Sequence, residues 1–175
     1  MKEIINTEKK IYEPWNICKT WIERFQKNER CVIFKYIKFL RLEEYCFQKG
    51  FAYKILRVYY TRRKNSLGNK IGIKIVPNYV GVGVNIHHKD IIINGNVGHN
   101  CTFHGNNCIG NNSMGGGTAL SLPIIGDNVD LGYGACVIGS VRIANNVKIG
   151  AGAVVVKDIL EENTVWAGVP ARKLY

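Results

Sequence analysis

The sequence lacks any uninterrupted apolar run that approaches the roughly 20 residues of a membrane-spanning helix. Its first stretch, Met1 to Lys10, also lacks the apolar core of a secretory signal peptide. Six cysteines are present, but none forms a C-x-x-C pair or has zinc-finger spacing, which argues against a metal knuckle and a redox pair. From these absences we expect a cytoplasmic protein with reduced thiols.

Acidic residues are scarce only in the first part of the chain. The formal net charge is +11; residues 1–77 hold 18 Lys and Arg against 7 Asp and Glu, whereas residues 78–175 hold 6 of each. The first part also contains 13 of the 18 aromatic residues. The basic charge therefore belongs to one segment, and the rest of the chain is electrically neutral.

The last hundred residues lack both of the usual hydrophobic periods. An amphipathic helix would place apolar residues three or four apart, and a half-buried strand would place them two apart. Here Leu, Ile, Val and Phe recur every six positions in two runs: Val97, Phe103 and Ile109, then Ile125, Leu131, Val137, Ile143, Ile149 and Val155. Gly and Asn fill the intervals, and both suit tight turns better than helix interiors. The pattern predicts short strands that wind into a parallel β-helix whose coils stabilise one another.

Two interruptions break the period of six. Eleven steps, instead of twelve, separate Ile86 from Val97, so one residue has been lost, and we place the loss at the histidines of this segment. Residues 111–123 fit no repeat and predict a protruding loop, and a loop of that size is more often functional than idle.

Before the repeats, apolar residues at helical spacing predict helices at about residues 14–27, 30–48 and 51–63. We interpret residues 1–70 as a basic, aromatic helical cap over the open end of the β-helix. Lys, Arg, Trp and Tyr mixed on helices are also typical of binding to an anionic membrane surface, so peripheral contact at the inner face of a membrane stays open. No recognised nucleic-acid motif accompanies the charge, and we expect no nucleic acid partner.

Several repeats resemble those of the hexapeptide-repeat acyltransferases. The similar segments are I-G-D-N-V at Ile125–Val129, I-G-A-G-A-V-V at Ile149–Val155, and the ending A-G-V-P-A-R at Ala167–Arg172. The resemblance covers residues 72–172 and implies a left-handed parallel β-helix with three hexapeptides in each coil, a homotrimer, and transfer of an acyl group from a CoA or carrier-protein thioester. We therefore expect a β-helix at 71–160 and a C-terminal tail at 161–175. Residues eighteen apart should then lie about 4.8 Å from each other on neighbouring coils.

All four histidines lie within eighteen positions of one another: His87, His88, His99 and His104. Because one residue is missing, Ile86 and Phe103 are equivalent positions, so the histidines that follow them should stack on successive coils. A histidine can serve as a general base near neutral pH. To acylate an alcohol, such a base must take the hydroxyl proton, and His87 is our first choice.

The stretch I-H-H-K-D-I-I-I-N at Ile86–Asn94 resembles the H-x-x-G-I-V-I-N segment of the serine acetyltransferase branch, particularly of its relatives in capsule and exopolysaccharide synthesis. Aligned on residues 91–94, the resemblance places the catalytic histidine at His87. The irregular coil leaves His88 as an alternative, and His104 is its expected neighbour.

Four positions depart from the serine enzymes. Ile86 stands where that branch has an Asp that helps hold the amino acid, and Lys74 stands where it has an Asp that orients the catalytic His. Ser121 and Leu122 stand where it has an Arg and a second active-site His. We therefore expect the acceptor to be a sugar hydroxyl of a surface polysaccharide or its precursor, with serine O-acetylation as the alternative.

The resemblance also implies the donor site, for which we expect acetyl-CoA. Tyr133 and Ala151 each follow an apolar-Gly pair and are eighteen apart, so they should share one edge of the prism, where the family binds the pantetheine arm. Lys157 and Arg172 match basic residues near the family's chain end that meet the nucleotide phosphates.

Two other functions compete with acyl transfer. Some left-handed β-helices are zinc carbonic anhydrases, and His99 and His104 have the spacing of two such ligands. The third ligand would fall near Arg62 or Arg63, and zinc needs three or four good ligands, so we expect no metal. A non-catalytic structural solenoid is the remaining alternative.

Overall fold

The computed structural model describes residues 1–12, 29–111 and 122–175. These ranges contain the α-helices α1 (Lys2–Tyr12), α2 (Glu29–Gln48) and α3 (Lys54–Ile71), with a 3-10 turn at Phe51–Tyr53 between the last two. None of the helices in the described ranges combines the length and apolar character needed to cross a bilayer. The helix predicted at 14–27 and most of the loop predicted at 111–123 lie outside the described residues.

Helix α3 is longer than the sequence predicts. We expected it to end before the Asn65–Gly68 segment, but it continues to Ile71 and ends at Gly72, whose φ of 64° is left-handed. Gly68 lies inside the helix at a point where no larger residue fits, because a β-carbon there would overlap the carbonyl oxygen of Ile73. The glycine therefore permits close packing of α3 against the first strand, and it does not end the helix.

Short strands follow α3 and wind into a three-sided prism. In chain order they are β1 (Ile73–Ile75), β2 (Asn85–Ile86), β3 (Ile91–Ile93), β4 (Asn96–Val97), β5 (Thr102–Phe103), β6 (Cys108–Gly110), β7 (Ile124–Ile125), β8 (Asp130–Leu131), β9 (Cys136–Ile138), β10 (Arg142–Ile143), β11 (Lys148–Ile149), β12 (Val154–Val155), β13 (Val165–Ala167) and β14 (Arg172–Lys173). The first sheet has the order β1-β3-β6-β9-β12, the second β4-β7-β10, and the third β2-β5-β8-β11-β13-β14. Every pair is parallel except β13 with β14.

The six-residue period supplies the interior of this prism. Leu131 and Ile149 are eighteen apart, lie side by side on neighbouring coils, and are buried, as the sequence predicts. Helix α2 adds Ile33, Ile37 and Leu40 to the same hydrophobic cluster. The helices and the first coils therefore share one core.

The predicted position of the lost residue is wrong. Ile86 pairs with Phe103 and Ile93 pairs with Ile109, so the turn after β2 takes seven steps where the turn after β5 takes six. The shortening falls instead between Ile93 and Val97, which are four steps apart. The turn that carries the first two histidines thus has one residue more than the equivalent turn of the next coil. The following corner has two residues fewer than the period of six, which gives the net loss of one.

The segment predicted as a C-terminal tail continues the third sheet. Strand β13 pairs in parallel with β11, and β14 folds back antiparallel onto β13. The hydrophobic period fades here because Val165, Trp166 and Ala167 are all only half-buried.

The cysteines follow the expectation only in part. Cys46, Cys101, Cys108 and Cys136 are free thiols. Cys31 is disulfide-bonded, so the expectation of reduced thiols is wrong for this residue.

Candidate active site

His87 and His104 stack at the corner between the third and first sheets. Each directly follows a buried strand residue, Ile86 or Phe103, and the His87 N–H donates to the Phe103 carbonyl at 2.9 Å. The two imidazole centroids are 4.6 Å apart, with an interplanar angle of 51°. The stacking predicted from the register is therefore confirmed.

Asp130 holds His104 from the next coil. Nε2 of His104 donates to Oδ1 of Asp130 at 2.9 Å, and the two side chains are 37% and 41% exposed. A carboxylate only accepts hydrogen bonds, so it keeps a proton on Nε2 of the neutral imidazole. The six-residue period does not reveal Asp130 as a partner of His104, because the loop predicted at 111–123 interrupts the count of steps between Phe103 and its register partner Leu131.

Asn85 holds His87 from the same coil. Nη2 of Arg30, in α2, donates to Oδ1 of Asn85 at 3.0 Å, and Nδ2 of Asn85 lies 3.0 Å from Nε2 of His87. A guanidinium is only a donor, so Arg30 fixes which end of the amide faces the imidazole. Neutral His87 then accepts at Nε2 and carries its proton on Nδ1. Neither residue was predicted for the site: Arg30 lies in a helix outside the repeat, and the hydrophobic period does not distinguish Asn85.

The pKa of His87 is lowered from its ordinary value of 6.5. Partial burial is the main cause. Electrostatic interactions with His104, Arg30 and His88 lower the pKa further, whereas the interaction with Asp130 raises it. His87 is therefore mainly unprotonated at neutral pH. An unprotonated imidazole is the form that a general base requires.

The other two histidines occupy different surroundings. The side chain of His88 is 63% exposed, with Nδ1 3.8 Å from Oε2 of Glu29. His99 lies at the corner between the second and third sheets, where its Nδ1 accepts from the Val82 N–H at 3.1 Å. His99 and His104 therefore follow different sheets of the prism. Within the described ranges, no three His, Cys, Asp or Glu side chains gather as metal ligands would.

Tyr133 and Ala151 lie on adjacent coils, as their spacing predicts. The Gly152 N–H donates to the Tyr133 carbonyl at 2.8 Å. The Tyr133 side chain is 56% exposed and covers Gly105, where an added β-carbon would lie 3.2 Å from the ring and 2.6 Å from the His88 β-carbon. Tyr133 thus lies between the edge of the prism predicted to bind the donor and the corner that carries the histidines.

Lys157 and Arg172 line one cavity of about 160 Å³, together with Trp166 and Pro170. The β14 strand brings Arg172 back across the last coil, which places the two basic residues together. Two basic side chains at one cavity suit phosphate groups, although the carboxylate of Asp158 also lines this cavity.

The residues that replace those of the serine enzymes lie in varied positions. Ile86 is fully buried and faces the prism interior, so it cannot contact an acceptor. Lys74 is exposed in the middle of β1, and Leu122 is half-buried. Ser121 lies outside the described residues.

No protein-family model and no curated protein matches the sequence. Solved structures do match it. Serine acetyltransferase from Neisseria gonorrhoeae is 26% identical with a TM-score of 0.72, over 99% of this chain and 66% of that one. The enzyme from Brucella abortus strain S19 is 22% identical with a TM-score of 0.68, over 99% of this chain and 68% of that one.

A serine acetyltransferase solved in complex with CoA is 23% identical with a TM-score of 0.64, over 82% of this chain and 57% of that one. The chain thus spans 66% of the gonococcal protein's length and 57% of this complex's. The similarity confirms the predicted fold class: the chain has the fold of these serine acetyltransferases, a left-handed parallel β-helix preceded by a helical region.

Proposed function

We propose that the chain is an O-acetyltransferase that uses acetyl-CoA as donor and His87 as general base. The observation that carries the proposal is the His87–His104 stack, in which His87 has a lowered pKa and a fixed tautomer. Serine acetyltransferases among the similar structures, one of them bound to CoA, support acetyl transfer from this donor.

In the proposed reaction, the acceptor hydroxyl replaces the Asn85 amide at Nε2 of His87. His87 takes the hydroxyl proton as the oxygen forms a bond to the thioester carbonyl carbon. The carbon–sulfur bond then breaks, the proton passes from His87 to the leaving sulfur, and the products are the acetyl ester and the free thiol. The Asp130 carboxylate favours the imidazolium that forms in between, because it raises the pKa of His87.

For the donor, we propose that the pantetheine arm follows the edge marked by Tyr133 and Ala151. The small side chain of Ala151 leaves its backbone accessible to a linear amide chain, whereas the exposed Tyr133 ring narrows the approach to the histidines. Lys157 and Arg172 would bind the nucleotide phosphates in the cavity that they share. The family resemblance further implies a homotrimer with the thioester between two subunits, which light scattering of the purified chain would test.

For the acceptor, the similar structures favour L-serine over the sugar hydroxyl that the sequence analysis expected. L-Serine O-acetylation is therefore the first candidate. A sugar hydroxyl remains the second, because Ile86 and Lys74 replace the two Asp residues by which the serine enzymes hold the amino acid and orient the histidine, and Ile86 faces the core.

The test measures thiol release from acetyl-CoA with L-serine and, separately, with a panel of free sugars and polysaccharide fragments. We expect turnover with one acceptor class, and we expect His87→Ala to abolish this turnover. His99→Ala changes a histidine at another corner of the prism and should keep the wild-type turnover. Loss of turnover in His88→Ala with full activity of His87→Ala would transfer the role of base to His88. No turnover with any hydroxyl acceptor would contradict the proposed function.

A further inference from the structure

Helix α3 presents an apolar face to solvent. Phe51, in the turn before the helix, and Ile55, Val58 and Tyr59 follow one another at helical spacing and are 87%, 86%, 54% and 52% exposed. The buried residues of α3, Lys64, Gly68 and Ile71, lie on the opposite side. We call Phe51, Ile55, Val58, Tyr59 and Arg62 the outer face of α3. Exposed apolar side chains that cluster in this way are typical of an interaction site.

The charge on this helix has one sign. Its eighteen residues contain six basic residues and no acidic one: Lys54, Arg57, Arg62, Arg63, Lys64 and Lys70. Lys64 is paired with Glu43 at 2.7 Å. Among the described residues, none of the other five forms an ion pair.

Two of these cations lie directly beside exposed aromatic rings. The Arg57 guanidinium lies 4.6 Å from the Phe47 ring centroid, and Lys54 Nζ lies 5.6 Å from that of Phe51. The Phe47 and Phe51 side chains are 54% and 87% exposed. Aromatic rings beside basic groups are the combination that occupies the boundary between lipid headgroups and acyl chains.

We propose that the outer face of α3 docks on an anionic lipid surface. The apolar side chains of Ile55 and Val58 would enter the headgroup–acyl boundary. Lys54, Arg62 and Arg63, which lie on or beside this face, would meet the lipid phosphates. This inference concerns the helical region and does not depend on the proposed acetyl transfer.

A second copy of the chain fits this face less well. Two outer faces packed against each other would bring their cations together without a carboxylate on either helix. A nucleic acid would satisfy the charge, but aliphatic side chains as exposed as Ile55 gain nothing from a phosphate backbone. An anionic bilayer can accommodate both the positive charge and the exposed apolar side chains.

The experiment uses the full chain and co-sedimentation with vesicles of phosphatidylcholine, with or without phosphatidylglycerol. We expect binding only to the anionic vesicles and weaker binding at high salt. Ile55→Glu and Arg62→Glu should each reduce the affinity for anionic vesicles about tenfold or more, since each adds a negative charge to the outer face of α3. The matched control is Leu160→Glu, which places the same charge at an apolar residue that is 72% exposed on the β-helix, and its affinity should not change.

Circular dichroism should show all three variants folded, because the replaced side chains are exposed. The proposal is overturned if anionic vesicles do not bind the wild type, or if Leu160→Glu weakens binding as much as Ile55→Glu does. Self-association that Ile55→Glu abolishes, without vesicle binding, would assign the face to a second copy. Binding of a duplex oligonucleotide in place of vesicles would assign it to nucleic acid.

Discussion

Nδ2 of Asn85 lies 3.0 Å from Nε2 of His87, and Arg30 fixes the amide in this orientation from α2. The tautomer of the proposed base thus depends on the helical region as well as on the β-helix. A donor at Nε2 also favours the neutral ring, which agrees with the lowered pKa of His87.

Asn85→Asp should move the acid limb of the pH–rate profile towards higher pH. A carboxylate beside the imidazole favours its charged form and raises the pKa of His87. The measurement is kcat/KM against pH. Asn96→Asp is the matched control, because Asn96 directly precedes a buried valine on the second sheet and should leave the profile unchanged. An unshifted pH–rate profile in Asn85→Asp would show that residue 85 does not influence the group that acts as the base.

Protonation of His87 should also weaken the fold. Its pKa is below 6.5 in the folded chain, so the unfolded chain binds more protons in the interval between the folded pKa and 6.5. The contribution to the free energy of unfolding is therefore fully present above pH 6.5 and is lost as pH falls through the folded pKa. Urea unfolding at several pH values should show a smaller decrease over this interval in His87→Gln than in the wild type. Equal decreases would contradict the assignment.

Asp130→Asn should lower kcat with little change in the KM for acetyl-CoA. The amide can accept or donate at Nε2 of His104, so the ring loses its fixed tautomer, and the charge that favours the His87 imidazolium disappears. We expect a decrease of about tenfold or more, since the same exchange beside a catalytic histidine has a large effect elsewhere. Asp127→Asn, at the His99 corner, should keep the wild-type kcat. A changed KM for acetyl-CoA with an unchanged kcat would instead indicate that Asp130 acts in binding.

The repeat could be predicted from the sequence because it is a local pattern. Every sixth residue of the coils faces one interior, so the spacing of Leu131 and Ile149 is enough to predict that they stack. The histidine stack followed from the same arithmetic. The position of the irregularity did not, because a bulge after Ile86 and a short corner after Ile93 nearly cancel in the sequence count.

The partners of the histidines could not be predicted in the same way. Asp130 is 26 residues from His104, and the loop predicted at 111–123 takes up about half of that interval. Arg30 reaches Asn85 only because α2 packs against the first coils, and that docking depends on tertiary contacts which no period reports. The sequence pattern therefore predicts the β-helix and the stacking of His87 and His104. The residues that orient these two imidazoles can be identified only in the structure.

Tyr12→Phe should destabilise the coil that carries His87. The Tyr12 hydroxyl is buried, donates to the Val84 carbonyl at 3.3 Å and accepts from the Ile86 N–H at 3.2 Å. Its removal leaves two backbone groups without this partner and should lower the free energy of unfolding by about 1–3 kcal/mol. Urea denaturation measures the change. Tyr59→Phe, at an exposed tyrosine, should leave the free energy of unfolding unchanged, and a similar loss there would contradict the explanation.

Glu8 should make the fold less stable as pH rises above 4.5. Its Oε1 accepts from Nε of Arg41 at 2.9 Å, but the carboxyl is almost fully buried, and burial raises its pKa against the opposing charge of Arg41. The folded chain therefore binds more protons than the unfolded chain between pH 4.5 and the folded pKa, so this contribution is fully present below 4.5 and is lost across that interval. Glu8→Gln keeps an oxygen for Arg41 and cannot ionise, so the decline with pH should be smaller than in the wild type. Glu3→Gln, at an exposed carboxyl on the same helix, should follow the wild-type curve, and parallel curves for Glu8→Gln and the wild type would show that Glu8 does not carry the effect.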